Sequence, residues 1–318
     1  MIWKARSLAG FLLLGALLSG CAVILPQTEA LREQRPAELP TRAELKEVPF
    51  FPQEEYQCGP ASIAMAMNAA GASVTPEAMV EQVYLPARQG SLQIEMLVAP
   101  RRHGLIAYEL EPQFTDLLRE VAAGTPVVVL ENYRLRWWPL WHYAVIVGYD
   151  LETGEILRHS GTKQRQTMPF PVFEYVWKDE GYWAMVVVPP DRVPATATEA
   201  RYGQAVAALE RSGKLKEART AYNAMLGRWP TSLVALMGTG NTAYALKDLA
   251  AAESSFRDAT LAHPDAPAAF NNYAHVLAER GKIPEALAAA EHAVSLGGPF
   301  LPASRKTLEE VHRLGPGR

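Results

Sequence analysis

Between residues 199 and 298 the sequence repeats itself every 34 residues, and this period fixes the architecture of that whole stretch. Ala218, Ala252 and Ala286 share one phase, Tyr222, Phe256 and Ala290 the next, and Pro230, Pro264 and Gly298 close each unit. Gly213 and Gly281 occupy the turn at mid-repeat, where Lys247 departs from the pattern. Small residues at one phase and a helix terminator at the end describe helix pairs, each of which buries its apolar face only by stacking on the next. The period predicts three such pairs over 199–298 and a capping helix over 303–314.

The spacing is similar to that of tetratricopeptide repeats, and it implies a region that binds a protein partner. Upstream, the run Pro189-Pro190-Asp191-Arg192-Val193-Pro194 cannot continue a central strand. Residues 191–198 therefore read as a linker and 47–190 as a separate domain. In that domain Thr75 and Pro76 signal a helix start, and Gly90-Ser91 reads as the cap of a second helix running to His103, which favours the helix dipole there. Strands follow at 105–110, 126–130, 141–150, 155–159 and 182–188, with a helix near 115–123. Helices first and a sheet after is an α+β order. A chain of 318 residues, 49% of them hydrophobic, supplies cores for both domains. Its net charge of −3 excludes the basic footprint of a nucleic-acid binder, and no motif calls for a metal or other cofactor.

The chemistry concentrates in Gln53-Glu54-Glu55-Tyr56-Gln57-Cys58-Gly59-Pro60-Ala61-Ser62. The residues after Cys58 run without a breaker to Gly71, so the thiol sits at the start of a helix, with Pro60 in its first turn. Unpaired N–H groups at a helix start favour a thiolate, the reactive form of cysteine. A base is offered by Trp141-His142-Tyr143-Ala144-Val145-Ile146-Val147-Gly148, a buried strand that would fix the ring of His142. Just before it, Trp137, Trp138 and Trp141 either fill core or wall a groove for an extended peptide, with Arg134 or Arg136 reading an acidic feature.

The motifs Gln-x-x-x-x-Cys-Gly-Pro-Ala-Ser-x-Ala-Met and His-Tyr-Ala-Val-x-Val-Gly-Tyr-Asp, in this order, resemble the bacteriocin-processing cysteine peptidases. These are papain-like enzymes that remove double-glycine leader peptides, and the resemblance is to lipoprotein relatives that carry helical repeats. It implies a papain-like α+β fold over 47–190, with Cys58 as nucleophile, His142 as base and Gln53 as oxyanion donor. Gln53 lies one residue closer to the cysteine than the usual pattern, so Gln57 or backbone N–H groups would share its role. The family's third member is an aspartate; its position falls here on Ser160, which can orient an imidazole by hydrogen bonding without adding a charge. His159 is the alternative orienter.

Residues 1–21 read as a lipoprotein signal: Lys4 and Arg6, an apolar run from Leu8, and Leu18-Ser19-Gly20-Cys21, where Cys21 would be acylated. By similarity to enterobacterial lipoproteins, Ala22 after it in place of Asp would favour the outer membrane over the inner one, on the periplasmic side. Residues 22–46, polar and proline-bearing, read as a tether. With Cys21 acylated, Cys58 has no disulfide partner in an oxidising compartment. Three functions share these residues: peptide-bond hydrolysis by an anchored cysteine peptidase, acyl transfer to an amine, and a binding scaffold on a peptidase-like domain.

Overall fold

The computed structural model describes residues 25–53, 57–135 and 137–315. The expected signal segment 1–21, with Cys21, lies outside them. Helix α1 (Pro26–Glu33) and strand β1 (Arg42–Glu44) lead to α2 (Cys58–Ala69), α3 (Pro76–Val83) and α4 (Gln93–Arg102). There follow β2 (Ile106–Glu109), α5 (Phe114–Ala122), β3 (Val127–Asn132), β4 (Trp141–Asp150), β5 (Glu155–Ser160), β6 (Lys163–Pro169), α6 (Phe170–Lys178) and β7 (Ala184–Val188). The strands form one antiparallel sheet in the order β2-β7-β3-β4-β5-β6, and β1 also pairs with β4.

The valine runs of β3 and β7 follow from the sheet having helices on both faces. Ala144 and Ile146 of β4 join Val127, Val129, Phe114 and Trp177 in one core, whereas Tyr143, Val145 and Val147 join Val128, Met185, Ile63 and Met96 in the other. Strand β4 is long enough to share one edge between two partners: β3 along its first half and β1 along residues 148–150. Gly148 permits the second, since a β-carbon there would stand 2.7 Å from the carbonyl oxygen of Ala43.

Residues 25–46 differ from the expected tether, because a helix, a strand and two buried leucines tie them to the domain. Leu31 and Leu39 are buried in the core, and the buried carboxylate of Glu174 accepts the first free N–H groups of α1, from Gln27 at 3.1 Å and Thr28 at 2.6 Å. A helix end whose N–H groups find such a partner has a reason to dock. Strand β6 and helix α6 were not legible in the sequence: β6 is a mostly exposed edge strand without apolar alternation. The expected linker 191–198 is pinned as well. Thr196 donates from both N and Oγ1 to Glu120 Oε1, each at 2.7 Å, and Thr198 N donates to Tyr108 Oη at 3.3 Å.

Beyond it run α7 (Glu199–Arg211), α8 (Leu215–Arg228), α9 (Leu233–Ala245), α10 (Leu249–Ala262), α11 (Pro267–Glu279), α12 (Ile283–Leu296) and α13 (Leu301–Leu314). These are the three expected pairs and the capping helix. Tyr202, Val206 and Leu209 of α7 share the core that holds Tyr108 and Val186, so the first repeat packs on the sheet domain. The in-phase alanines 218, 252 and 286 are buried at the helix crossings. Gly240 fits the same logic, since a β-carbon there would stand 2.4 Å from the ring of Phe256. Lys247, where the repeat departs from glycine, has a left-handed φ of 64°.

Two substitutions test this packing by chemical denaturation. Gly240→Ala lowers the unfolding free energy by about 1–3 kcal/mol through overpacking against Phe256. Lys247→Gly raises it by about 1 kcal/mol by relieving the left-handed conformation of an exposed residue.

Candidate active site

Helix α2 starts at Cys58, with Pro60 inside its first turn. Gly59 is a packing requirement: a β-carbon there would lie 2.2 Å from Ser91 Oγ. Ser91 thus packs on α2 instead of capping the next helix, which begins at Gln93 with no side-chain cap.

The Cys58 thiol is free and half-buried. Burial pushes it above its ordinary range, against the pull of the N–H groups of Tyr143, Gly59 and Cys58 itself, and the Glu131 carboxylate adds to the rise. This corrects the expectation of a preformed thiolate. The helix-start amides are present, but loss of solvent outweighs them.

His142 is the second residue of β4, next to the Tyr143 backbone that the thiol faces. Its Nε2 lies 2.9 Å from Ser160 Oγ. Burial, reinforced by the positive charge of Arg158, pulls the imidazole down to about 4. The resting pair is therefore a neutral thiol and a neutral imidazole. With Nε2 held by Ser160, Nδ1 is the nitrogen left to take a proton. A carboxylate in Ser160's place would accept only and would fix Nε2–H; a hydroxyl either donates or accepts, so it holds the ring without enforcing the tautomer.

Ser160 reaches the imidazole because it ends β5, where the register shifts between Arg158 and Ser160 and the chain turns into β6 through Gly161, at φ +59°. Gln53 clamps this turn. Its N donates to Gly161 O at 3.0 Å and its Oε1 accepts from Gly161 N at 2.8 Å. Its Nε2 donates to Ser62 Oγ of α2 at 3.1 Å and to the Tyr143 carbonyl of β4 at 3.2 Å. The expected oxyanion donor is thus at the site, but its amide is committed to joining α2, β4 and the β5–β6 turn. The alternative orienter, His159, is occupied elsewhere: its Nδ1 accepts from Arg165 N at 3.2 Å, and its ring meets Phe50 edge to face.

Sequence reasoning missed the ion pair behind the imidazole. Glu131, the cross-strand neighbour of His142, is wholly buried and paired with Arg158 of β5 at 2.5 Å. Tyr133 Oη donates to Glu131 at 2.6 Å and accepts from Arg158 at 2.8 Å, and its ring lies 5.4 Å from that of His142. Burial alone would pull the Arg158 guanidinium down, but Glu131 and Tyr133 hold it charged. The signal available in the sequence was an acid that follows the apolar run Val127–Leu130 and a base that follows Ile156-Leu157, on the two strands that flank β4. Trp137 and Trp138 are 80% and 69% exposed, so they do not fill core. Arg136 lies outside the described residues, and among those described no group of His, Cys, Asp and Glu is arranged to hold a metal ion.

Glu131→Gln leaves Arg158 charged and buried without its partner. Denaturant unfolding should show a loss of about 3–5 kcal/mol, whereas replacing both residues by apolar ones of similar volume costs much less.

Residues 45–185 match the family described as Peptidase_C39 like, and residues 194–232 and 237–299 match the tetratricopeptide repeat. A C39-like peptidase from Bacillus anthracis is 19% identical over 46% of this chain and 97% of its own, with a TM-score of 0.39. The peptidase domain of Streptococcus ComA, a bifunctional ABC transporter of a quorum-sensing pathway, is 17% identical over 45% of this chain and 99% of its own, at 0.38. The Yersinia enterocolitica type III secretion translocator chaperone SycD is 18% identical over 36% of this chain and 81% of its own, at 0.34. Among curated proteins none matches. The chain thus carries a C39-peptidase-like domain followed by tetratricopeptide repeats.

Proposed function

We propose that the protein is a cysteine peptidase that hydrolyses peptide bonds through Cys58 and His142. The observation that carries this reading is the Cys58 thiol at the start of α2, facing backbone N–H groups beside a His142 whose Nε2 is held by Ser160. A buried helix-start thiol alone is a small hydrophobe; one that faces the Tyr143 backbone, in the residue next to an oriented, neutral imidazole, has a candidate base on the same strand.

In the mechanism, Nδ1 of His142 takes the Cys58 proton as the sulfur attacks the substrate carbonyl. The C–S bond forms, and the negative charge passes to the carbonyl oxygen, where the Cys58 N–H stabilises it. The imidazolium returns its proton to the leaving amine as the C–N bond breaks. Water, deprotonated by His142, then hydrolyses the thioester and restores the thiol. Gln53 contributes by fixing the turn that carries Ser160. It donates to the oxyanion only by giving up Ser62 or Tyr143 as partner. Because both groups are neutral at rest, charge separates only as substrate enters, and Ser160 offers the imidazolium no countercharge. That feature favours a second reading, a weakly active or inactive peptidase-like scaffold.

The sequence pattern supports a location as well: acylation of Cys21 anchors the protein to a bacterial membrane on the periplasmic side, the outer membrane in preference to the inner. The repeats bind a protein partner, which is the common use of such solenoids.

Hydrolysis of a peptide library by wild type, Cys58→Ala, Ser160→Ala and Ser160→Asp tests the reading. Cys58→Ala abolishes cleavage. Ser160→Ala lowers turnover about tenfold, which corresponds to the loss of a hydrogen bond of about 1.4 kcal/mol. Ser160→Asp raises turnover by fixing the tautomer and pairing the imidazolium. Full cleavage by Cys58→Ala would refute the assignment, and a wild type that cleaves nothing would favour the scaffold. In a pH profile, kcat/KM stays level through neutral pH and falls only as pH approaches about 4, where His142 takes a proton.

A further inference from the structure

The loop between β3 and β4 exposes an aromatic surface that the peptidase chemistry does not use. Tyr133, Arg134, Leu135, Trp137, Trp138 and Tyr175 line an open groove of about 400 Å³. Trp141, Leu140 and Val172 extend the apolar surface and are also exposed. An apolar surface of this extent marks a partner, because isolated exposed hydrophobes are ordinary but clusters of large ones are not.

We propose that this patch rests on the surface of an anionic lipid bilayer. A bilayer fits this patch better than a peptide does because of where the chain reaches the folded domain. Glu174, which receives the first N–H groups of α1 from Gln27 and Thr28, immediately precedes Tyr175 of the groove. The same corner is tied twice more: Tyr182 Oη donates to Glu174 at 3.3 Å, and Trp141 Nε1 donates to Glu180 at 3.0 Å. The start of α1 and the tryptophan loop are therefore fixed at one corner of the domain. This inference rests on the proposed acylation of Cys21. Leu25 is four residues on from Cys21, and even fully extended those four steps span only about 14 Å. A lipid at Cys21 thus holds this corner, and with it the patch, against the membrane.

The chemistry of the patch suits that position. Tryptophan and tyrosine partition to the boundary between headgroups and acyl chains. Arg134 is exposed, and the Lys178 ammonium lies over the Tyr175 ring at 5.2 Å, so two cations stand at the rim to meet anionic headgroups, beside the Glu180 carboxylate that Trp141 holds. Contact there sets His142, whose ring neighbours Tyr133 of the groove, close to the membrane surface. Substrates held at that surface are favoured over freely diffusing peptides.

The test reconstitutes the acylated protein, beginning at Cys21, into phosphatidylethanolamine–phosphatidylglycerol vesicles with brominated acyl chains and follows tryptophan emission. Two of the six tryptophans that follow Cys21 are replaced in the double variant Trp137→Ser/Trp138→Ser. Wild type loses emission to bromolipid, and the double variant loses less by roughly half or more. Equal fractional quenching in the two proteins overturns the proposal. Unchanged quenching with a raised KM for peptide also overturns it, and makes the groove a substrate site. The intact mass of the N-terminus reports separately on acylation, so a missing lipid would fail the anchor without being mistaken for a failed patch.

Discussion

One buried side-chain amide holds the candidate site together. A buried primary amide must find partners for both N–H groups and for its oxygen, and Gln53 finds them on three different elements: Ser62 of α2, Tyr143 of β4 and Gly161 at the β5–β6 turn. Each link fixes a participant. Helix α2 begins with the thiol, β4 carries the imidazole, and the turn positions the hydroxyl that grips it. None of these elements is adjacent in sequence to both of the others; the sheet ladder joins β4 to β5 and Ser62 Oγ donates to the Tyr143 carbonyl, but only the amide reaches all three, and without it the placement of α2 against the turn would depend on apolar packing. Such packing tolerates sliding better than a hydrogen-bonded amide does.

The sheet supplies the electrical setting. His142 and Glu131 face one another across β4 and β3, and Arg158 on β5 neutralises the glutamate, so the charge nearest the imidazole is a paired one. Arg158 nevertheless lowers the proton affinity of His142, and Glu131 raises that of Cys58. Both effects act in the same direction as burial. Together they keep the thiol and the imidazole neutral, and they place the work of separating charge on the moment of substrate binding. A carboxylate at Ser160 would reverse part of this balance.

What could be read from the sequence was what local chemistry dictates. The 34-residue period gave the repeat helices because alanine at a crossing is a steric necessity, repeated at 218, 252 and 286, with an aromatic one turn later in the first two units and Ala290 in the third. The helix start at Cys58 and the strand at His142 followed from breakers and β-branched runs. Residues 26–44 did not, because their helix is short and polar and depends on Leu31 and a carboxylate 146 residues away in sequence. Strand β6 was hidden for a similar reason: an exposed edge strand needs no apolar alternation. The state of the thiol was misjudged because burial is a tertiary property, and no motif around Cys58 reports how much of it the fold imposes.

The central claim is that the resting site holds a neutral thiol beside a neutral imidazole instead of an ion pair. The most direct measurement is the rate of iodoacetamide alkylation of Cys58 against pH, with modification at that residue quantified by peptide mass. A neutral pair reacts slowly at neutral pH and shows a single rise in the alkaline range, above the ordinary thiol value of 9.0. A plateau of fast alkylation extending into acid, abolished in His142→Ala, would show a thiolate–imidazolium pair and contradict it.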